Sequence, residues 1–187
     1  MKVSKEAASG NRAAILETAS AQIRGRGFDQ MSVAEVAQGA GLTHGALYSH
    51  FKSKAALTAE ATRCAFASCV RDFTGLSAPE FLRAYLSKEH RDHPEAGCPT
   101  AALVSEIVRQ PAELQATFQI GIERFIALVA DGLDAAGAGQ DHDRAVLMFA
   151  AMVGGLALSR AIRGADEAGS DDILRAVRDQ LQILAER

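Results

Sequence analysis

The apolar positions of this chain recur at helical spacing almost from end to end. Ile15, Ala19 and Ile23 fall every four residues, on one face of a helix that Gly25 and Gly27 end before Phe28. Val36, Ala37 and Ala40 share a face of a short second helix. Ser32 and Glu35 are spaced to open that helix as a reciprocal capping box, and Gly41 to close it in a left-handed conformation. Leu42 packs in the turn, Thr43 is the next N-cap, and Leu47 and Phe51, at i and i+4, point inward together. Ser53 then caps a fourth helix, anchored inward by Leu57 and predicted to run to about Phe73.

The remainder repeats the same grammar with different punctuation. Ser77-Ala78-Pro79-Glu80 is a second capping box, opening a helix predicted to reach about His90, and Asp92 to Pro99 is a loop rich in breakers. A helix from Pro99 carries Leu103, Ile107 and Val108. Pro111 opens a long helix with Leu114, Phe118, Ile122, Phe125 and Val129 inward, and Gly137-Ala138-Gly139 breaks it. Asp141 to Arg163 reads as the next helix, Gly164 to Ser170 as a loop, and Asp171 to Glu186 as the last helix. No repeat, low-complexity tract or strand pattern interrupts the series, so the expected fold is all-α.

The stretch Ser32–Leu57 carries the functional signal. Two short helices joined by a Gly-containing turn, with a third following at once, build a helix-turn-helix whose second helix can lie in the major groove of DNA. Gly45, Tyr48 and Ser49 point away from Leu47 and Phe51, while Thr43 and His44 crown the helix N-terminus. Gly45 leaves room for close approach by another molecule.

With Val36-Ala37, Ala40-Gly41-Leu42, Gly45, Leu47-Tyr48, His50-Phe51, Ser53-Lys54 and Leu57 in order and spacing, residues 11–60 resemble the DNA-binding domain of the tetracycline-repressor (TetR) family of bacterial regulators. Ala55-Ala56 departs from the polar residues common after that Lys, which removes possible phosphate contacts and leaves the fold intact. The resemblance implies an N-terminal helix-turn-helix DNA-binding head, residues 1–53, on a C-terminal helical effector-binding and dimerisation body, residues 54–187. It also implies that Thr43, Tyr48, His50 and Lys54 contact phosphates and fix orientation. Ser32 is expected to add a phosphate contact through its backbone donor. His44, Gly45 and Ser49 are positioned for base edges. For Thr43 a purely capping role, and for His50 a partly buried one, are the plain alternatives.

Composition fits this picture. The chain has 187 residues, 48% hydrophobic and 5% aromatic with no Trp, as in closely packed helices. Its net charge of −3 argues against a protein that coats nucleic acid indiscriminately. Residues 1–60 hold seven Lys/Arg against five Asp/Glu, and the rest thirteen against eighteen, so the mild excess of positive charge sits on the head. Met1 to Asn11 is polar and expected to fray, with Lys2 and Lys5 near phosphates. The longest apolar run, Ala145 to Leu158, is short for a bilayer span, and three cysteines make no disulfide framework, so a cytoplasmic protein is expected.

One helix-turn-helix reads few base pairs, and a two-fold dimer gains a second half-site one DNA turn away. The expected homodimer uses helices at about 141–163 and 171–186, with the stripe Ile173, Val177, Leu181 and Leu184, although that stripe suits the protomer's own core equally well. The resemblance implies a small-molecule pocket in the body, shifting the equilibrium between head spacings. Candidate lining residues are Phe66, Tyr85, Cys98, Leu103, Phe118, Ile122, Phe125, Met148 and Met152. Cys98, in Ala96-Gly97-Cys98-Pro99, sits at a helix N-terminus that favours thiolate, and a Gly-Cys here is similar to a branch of the family that responds to oxidants or electrophiles. No cofactor or metal is expected. Rival readings are a redox or metal-binding helical protein centred on Cys98, with His90, Asp92, His93 and Glu95 nearby, and a small-molecule-binding dimer without DNA function. An enzyme using Cys98 and His93 lacks an accompanying oxyanion or phosphate loop.

Overall fold

A computed structural model describes residues 5–135 and 141–186, which form ten helices. They are α1 (Lys5–Arg26), α2 (Val33–Gly39), α3 (His44–His50), α4 (Lys54–Phe73), α5 (Ala78–Tyr85), α6 (Lys88–Asp92), α7 (Pro99–Ile107), α8 (Ala112–Ala135), α9 (His142–Ile162) and α10 (Glu167–Ala185). Ile15, Ala19 and Ile23 of α1 are fully buried and meet Val36, Leu47, Phe51 and Leu57 in one apolar cluster. Helix α4 spans the molecule, with α1 along one side and α8 along another. Helices α8, α9 and α10 pack side by side, and α5 closes over α8 and α10. Lys2 and the Gly137-Ala138-Gly139 break lie outside the described residues, as does the side chain of Lys5.

Several boundaries differ from expectation for local reasons. The start of the chain does not fray from Lys5 onward, because α1 already runs there. The helix opened by Ser77 stops at Tyr85 instead of reaching His90. Ser87 accepts the His90 N–H at 3.1 Å and caps α6, and the His90 ring takes up the Tyr85 carbonyl at 2.7 Å. Helix α10 starts four residues earlier than expected, because Asp166 accepts the Gly169 N–H at 2.9 Å as its cap. Val108, expected on the helix from Pro99, is 69% exposed just past the end of α7.

Helix α9 buries Ala145, Met148, Phe149, Met152, Gly155, Leu156 and Ser159 on one face, while Val146, Leu147 and Leu158 are exposed on the others. At 21 residues and a hydropathy of 1.9 it is long and apolar enough to cross a membrane by length and composition, which corrects the reading from the apolar run alone. Here it packs as a core helix between α8 and α10. The expected α10 stripe is partly engaged within the protomer, with Ile173, Val177 and Leu184 half-buried. Leu181 is buried, and the Val177 side chain lies against Gly155 so closely that a Cβ there would sit 3.0 Å away. The apolar groups left free on these two helices are Val146, Leu147, Leu158 and Ile183.

Candidate nucleic-acid interface and thiol cavity

The turn between α2 and α3 is fixed by backbone chemistry. Gly41 takes φ +70°, its N–H donates to the Gln38 carbonyl at 3.0 Å, and the Leu42 N–H reaches back to Ala37 at 2.8 Å. This is a Schellman closure, which needs a left-handed residue where Gly41 stands. Thr43 accepts the Ala46 N–H at 3.3 Å and Ser53 the Ala56 N–H at 3.1 Å, so both act as caps. The capping box at Ser32 is only half made. Ser32 Oγ accepts the Glu35 N–H at 3.4 Å, but the reciprocal acceptor for the Ser32 N–H is Gln22 Oε1 of α1, at 3.2 Å. The Glu35 carboxylate instead pairs with Arg26 at 2.6 Å. The backbone donor expected at a phosphate is therefore already occupied.

Leu47 and Phe51 are buried, which turns Thr43, His44, Gly45, Tyr48 and Ser49 outward on one exposed surface. The His44 and Tyr48 rings meet edge-on at 5.1 Å, and a Cβ built on Gly45 would touch nothing. Lys54 is exposed at the first position of α4, and His50 is half-buried beneath. The Ser49 hydroxyl donates to the Ala46 carbonyl at 2.6 Å, so a base contact would have to replace or share that bond.

Arg24 and Glu106 are among the side chains that tie this head to the helices behind it. Arg24, buried at the end of α1, donates from Nη1 to the Ala96 carbonyl at 3.0 Å and the Gly97 carbonyl at 2.9 Å. The Glu106 carboxylate near the end of α7 accepts the Phe28 N–H at 3.0 Å and lies against Gly27, whose φ of +92° disfavours any side chain there.

The nine expected pocket residues are not brought together around one space. Phe66 lies across Gly121, with Phe118 edge-on at 5.1 Å, and Phe125 stacks on Phe149 at 5.2 Å. With Leu103 these rings make solid core. Met148 and Met152 border only a void of about 10 Å³. Phe118 and Ile122 also edge an outer groove with Ile107 and Val108. Tyr85 and Cys98 belong to a different region, beside a cavity of about 420 Å³ lined by Cys69, Asp72, Phe73, Glu89, His90 and Gly97 among others. Neither Cys69 nor Phe73 was singled out from the sequence; the i, i+4 spacing of Cys69 and Phe73 on α4 is the signal that was available.

Cys98 is fully buried at the N-terminus of α7. Its N–H donates to His90 Nε2 at 2.8 Å, and His90 Nδ1 lies 2.7 Å from the Tyr85 carbonyl. An acceptor on one side and a donor on the other fix a neutral ring with its proton on Nδ1. Burial accordingly depresses the His90 pKa to about 4. Burial pushes the Cys98 thiol up, but the Cys69 thiol, Tyr85 and the backbone N–H groups of Ala101 and Thr100 outweigh it and hold the thiol below its ordinary value. The neighbouring Cys69 thiol is held above its ordinary value, by the Cys98 sulfur first and by burial next. The Tyr85 hydroxyl is wholly buried beside Cys98 and lacks full hydrogen-bond geometry to any partner. Arg160 brings a cation over the same loop, donating to the Arg91 carbonyl at 3.0 Å and the His90 carbonyl at 2.6 Å.

His93 is not the base beside Cys98. It is exposed and held by Glu95 at 3.1 Å and Glu89 at 3.6 Å, while Asp92 is taken by Arg91 and Arg163. Among the described residues no group of three or more His, Cys, Asp or Glu is arranged to hold a metal ion.

A helix-turn-helix with an exposed polar reading face, set on a helical body, defines the class of DNA-binding regulators. Residues 15–61 match the family model for bacterial regulatory proteins of the tetR family, and residues 79–182 match the tetracyclin repressor-like C-terminal domain. The chain belongs to the TetR family. Its fold is also similar to that of E. coli NemR in its reduced form, at 19% identity and a TM-score of 0.77 over 92% of this chain and 95% of that one. A TetR regulator from Legionella pneumophila is 21% identical with a TM-score of 0.71, covering 98% of both chains. A putative TetR-family regulator from Rhodococcus sp. is 23% identical with a TM-score of 0.66, over 95% of this chain and 99% of that one. No curated protein matches the chain.

Proposed function

We propose that this protein is a ligand-responsive transcriptional repressor that binds a palindromic operator as a homodimer in the cytoplasm. The observation that carries the reading is the outward face of α3, where Thr43, His44, Gly45, Tyr48 and Ser49 are exposed above buried Leu47 and Phe51. In this reading residues 1–53 are the DNA-binding head and residues 54–187 the effector-binding and dimerisation body. Thr43, Tyr48, His50 and Lys54 hold phosphates, and His44, Gly45 and Ser49 meet base edges. Ser32 contributes through its helix cap rather than through its backbone donor. The dimer forms across α9 and α10, where Val146, Leu147, Leu158 and Ile183 offer unpaired apolar area. The effector, a small molecule or an electrophile, enters the cavity beside Cys69 and His90, and the protein is not an enzyme.

Selection of bound DNA from a random pool tests the reading. A two-fold symmetric site, bound with an affinity that falls steeply with salt, is the expected result. Failure to enrich any sequence, or a monomer by light scattering at micromolar concentration, overturns it. Dimers that enrich no DNA sequence would instead favour a ligand-binding protein without a DNA role.

A further inference from the structure

We propose that the seam between the DNA-reading head and the helical body binds a small apolar α-amino acid, of leucine size, which takes Lys54 away from DNA phosphate. The effect on DNA rests on the regulator reading above; the binding site does not. A cavity of about 250 Å³ opens between the turn after α1, the first turns of α4 and the start of α8. It shares no lining residue with the cavity beside Cys69 and His90. Its floor is apolar. Phe28, Ala59 and Leu114 are buried, and the hydroxyl of buried Thr58 is spent on the Lys54 carbonyl at 2.9 Å. Its rim carries both signs of charge, from Lys54 on one part and Asp29 and Glu113 on others. Among the described residues no ion pair engages any of these three, and Asp29 accepts only a long hydrogen bond from Gln110 Nε2, at 3.4 Å.

An open cation and two open carboxylates above an apolar floor complement a molecule that joins a carboxylate, an ammonium and a hydrocarbon body. Asp29 and Glu113 oppose a plain carboxylate, and Lys54 opposes a plain amine, so a zwitterion fits where either single charge does not. The volume lies below the roughly 300–1,000 Å³ of drug-sized sites, which limits the occupant to the size of a small metabolite. Ala55, which offers DNA no polar group, also lines the opening, and its methyl leaves clear a path that a longer side chain would cross. The consequence for DNA follows from the place of Lys54, exposed at the first position of α4 beside the reading face. A carboxylate held at its ammonium neutralises the cation that the head offers to phosphate. Amino acid and operator therefore compete, and each weakens the other by the same factor. No change of fold is required.

Isothermal titration calorimetry of the full chain with L-leucine, isovalerate and isoamylamine reads the ligand class. Leucine should bind with a Kd below about 1 mM, and each single-charge analogue at least about fivefold more weakly. Ala55→Leu fills the opening from an exposed position and should abolish the leucine heat, while Glu113→Gln should weaken leucine about threefold or more. Fluorescence anisotropy on the selected operator reads the effect on DNA. Saturating leucine should weaken operator binding about fivefold and lower its salt slope as Lys54→Ala does, and the Lys54→Ala protein should no longer respond to leucine. No leucine binding, an analogue that binds as well as leucine, or leucine binding that survives Ala55→Leu overturns the site. Leucine bound with operator affinity and salt slope unchanged overturns the competition for Lys54. If the protein binds no DNA at all, the regulator reading fails instead, and the calorimetry still decides the site.

Discussion

Replacing Arg24 with methionine should weaken the whole protein, and the structure sets the size of the effect. Arg24 is buried, and its guanidinium supplies three bonds: Nη1 to the Ala96 and Gly97 carbonyls at 3.0 and 2.9 Å, and Nε to the Ser20 carbonyl at 3.2 Å. Methionine keeps the stem's packing and removes all three. A buried acceptor left unpaired costs about 1–3 kcal/mol. The Gly97 carbonyl belongs to a buried residue, whereas Ala96 is exposed and water repays much of its share. Against this, burial already lowers the Arg24 pKa, so removing the cation relieves a desolvation penalty. The net expectation is about 2 kcal/mol, or roughly 4–8 °C in Tm for a chain of this size. Arg24→Lys keeps the charge but cannot span both carbonyls, and should fall about halfway. Urea titration with an unchanged m-value is the assay. A methionine variant within about 0.5 kcal/mol of the parent would mean that the bridge from α1 to the 96–98 loop contributes nothing.

Protonation of His90 should make the protein acid-sensitive in a defined window. Its folded pKa of about 4 lies below the ordinary 6.5, so the unfolded chain binds more protons between these values. Stability is therefore complete above about pH 6.5, falls as pH drops toward 4, and flattens with respect to this group below that, a loss of roughly 3 kcal/mol. Denaturant titrations of the parent and His90→Gln across pH 4–7 should diverge by this slope; parallel curves would refute it. Two glycines of α8 should respond with opposite signs to alanine. At Gly121 a Cβ would lie 2.3 Å from the Phe66 ring, an overlap costing about 1–3 kcal/mol that exceeds the helix gain of about 1, while Gly132 has open space and should gain up to about 1. Thermal melts of the two variants decide the matter, and stabilisation at Gly121 would contradict the packing. Lys54→Ala and Tyr48→Phe should weaken binding across DNA sequences, with the lysine variant lowering the salt slope by about one, whereas His44→Ala should change base preference. Unchanged operator affinity in all three would dismiss the assigned reading face.

What the sequence made legible was what depends on local chemistry. Gly41, Thr43 and Ser53 act where their side chains or their absence dictate, because each bond they make lies within a few residues. The inward spacing of Ile15, Ala19, Ile23, Leu47 and Phe51 translates directly into burial for the same reason. The misses are all cases in which a distant group competes for a local one. Gln22 takes the Ser32 donor that spacing assigns to Glu35, and Arg26 takes Glu35 in turn. His93 stands nearer Cys98 in sequence, yet His90 reaches its N–H, because α6 begins at a Ser87 cap and turns that ring under the loop. Gly97 is the hinge of this last arrangement. Its missing Cβ would lie 2.5 Å from the His90 ring, so the Gly-Cys pair is a steric requirement of the imidazole as much as a helix start. A cysteine flagged by its helix N-terminus thus owes its surroundings to His90, Tyr85 and Cys69, which the chain delivers from three other helices.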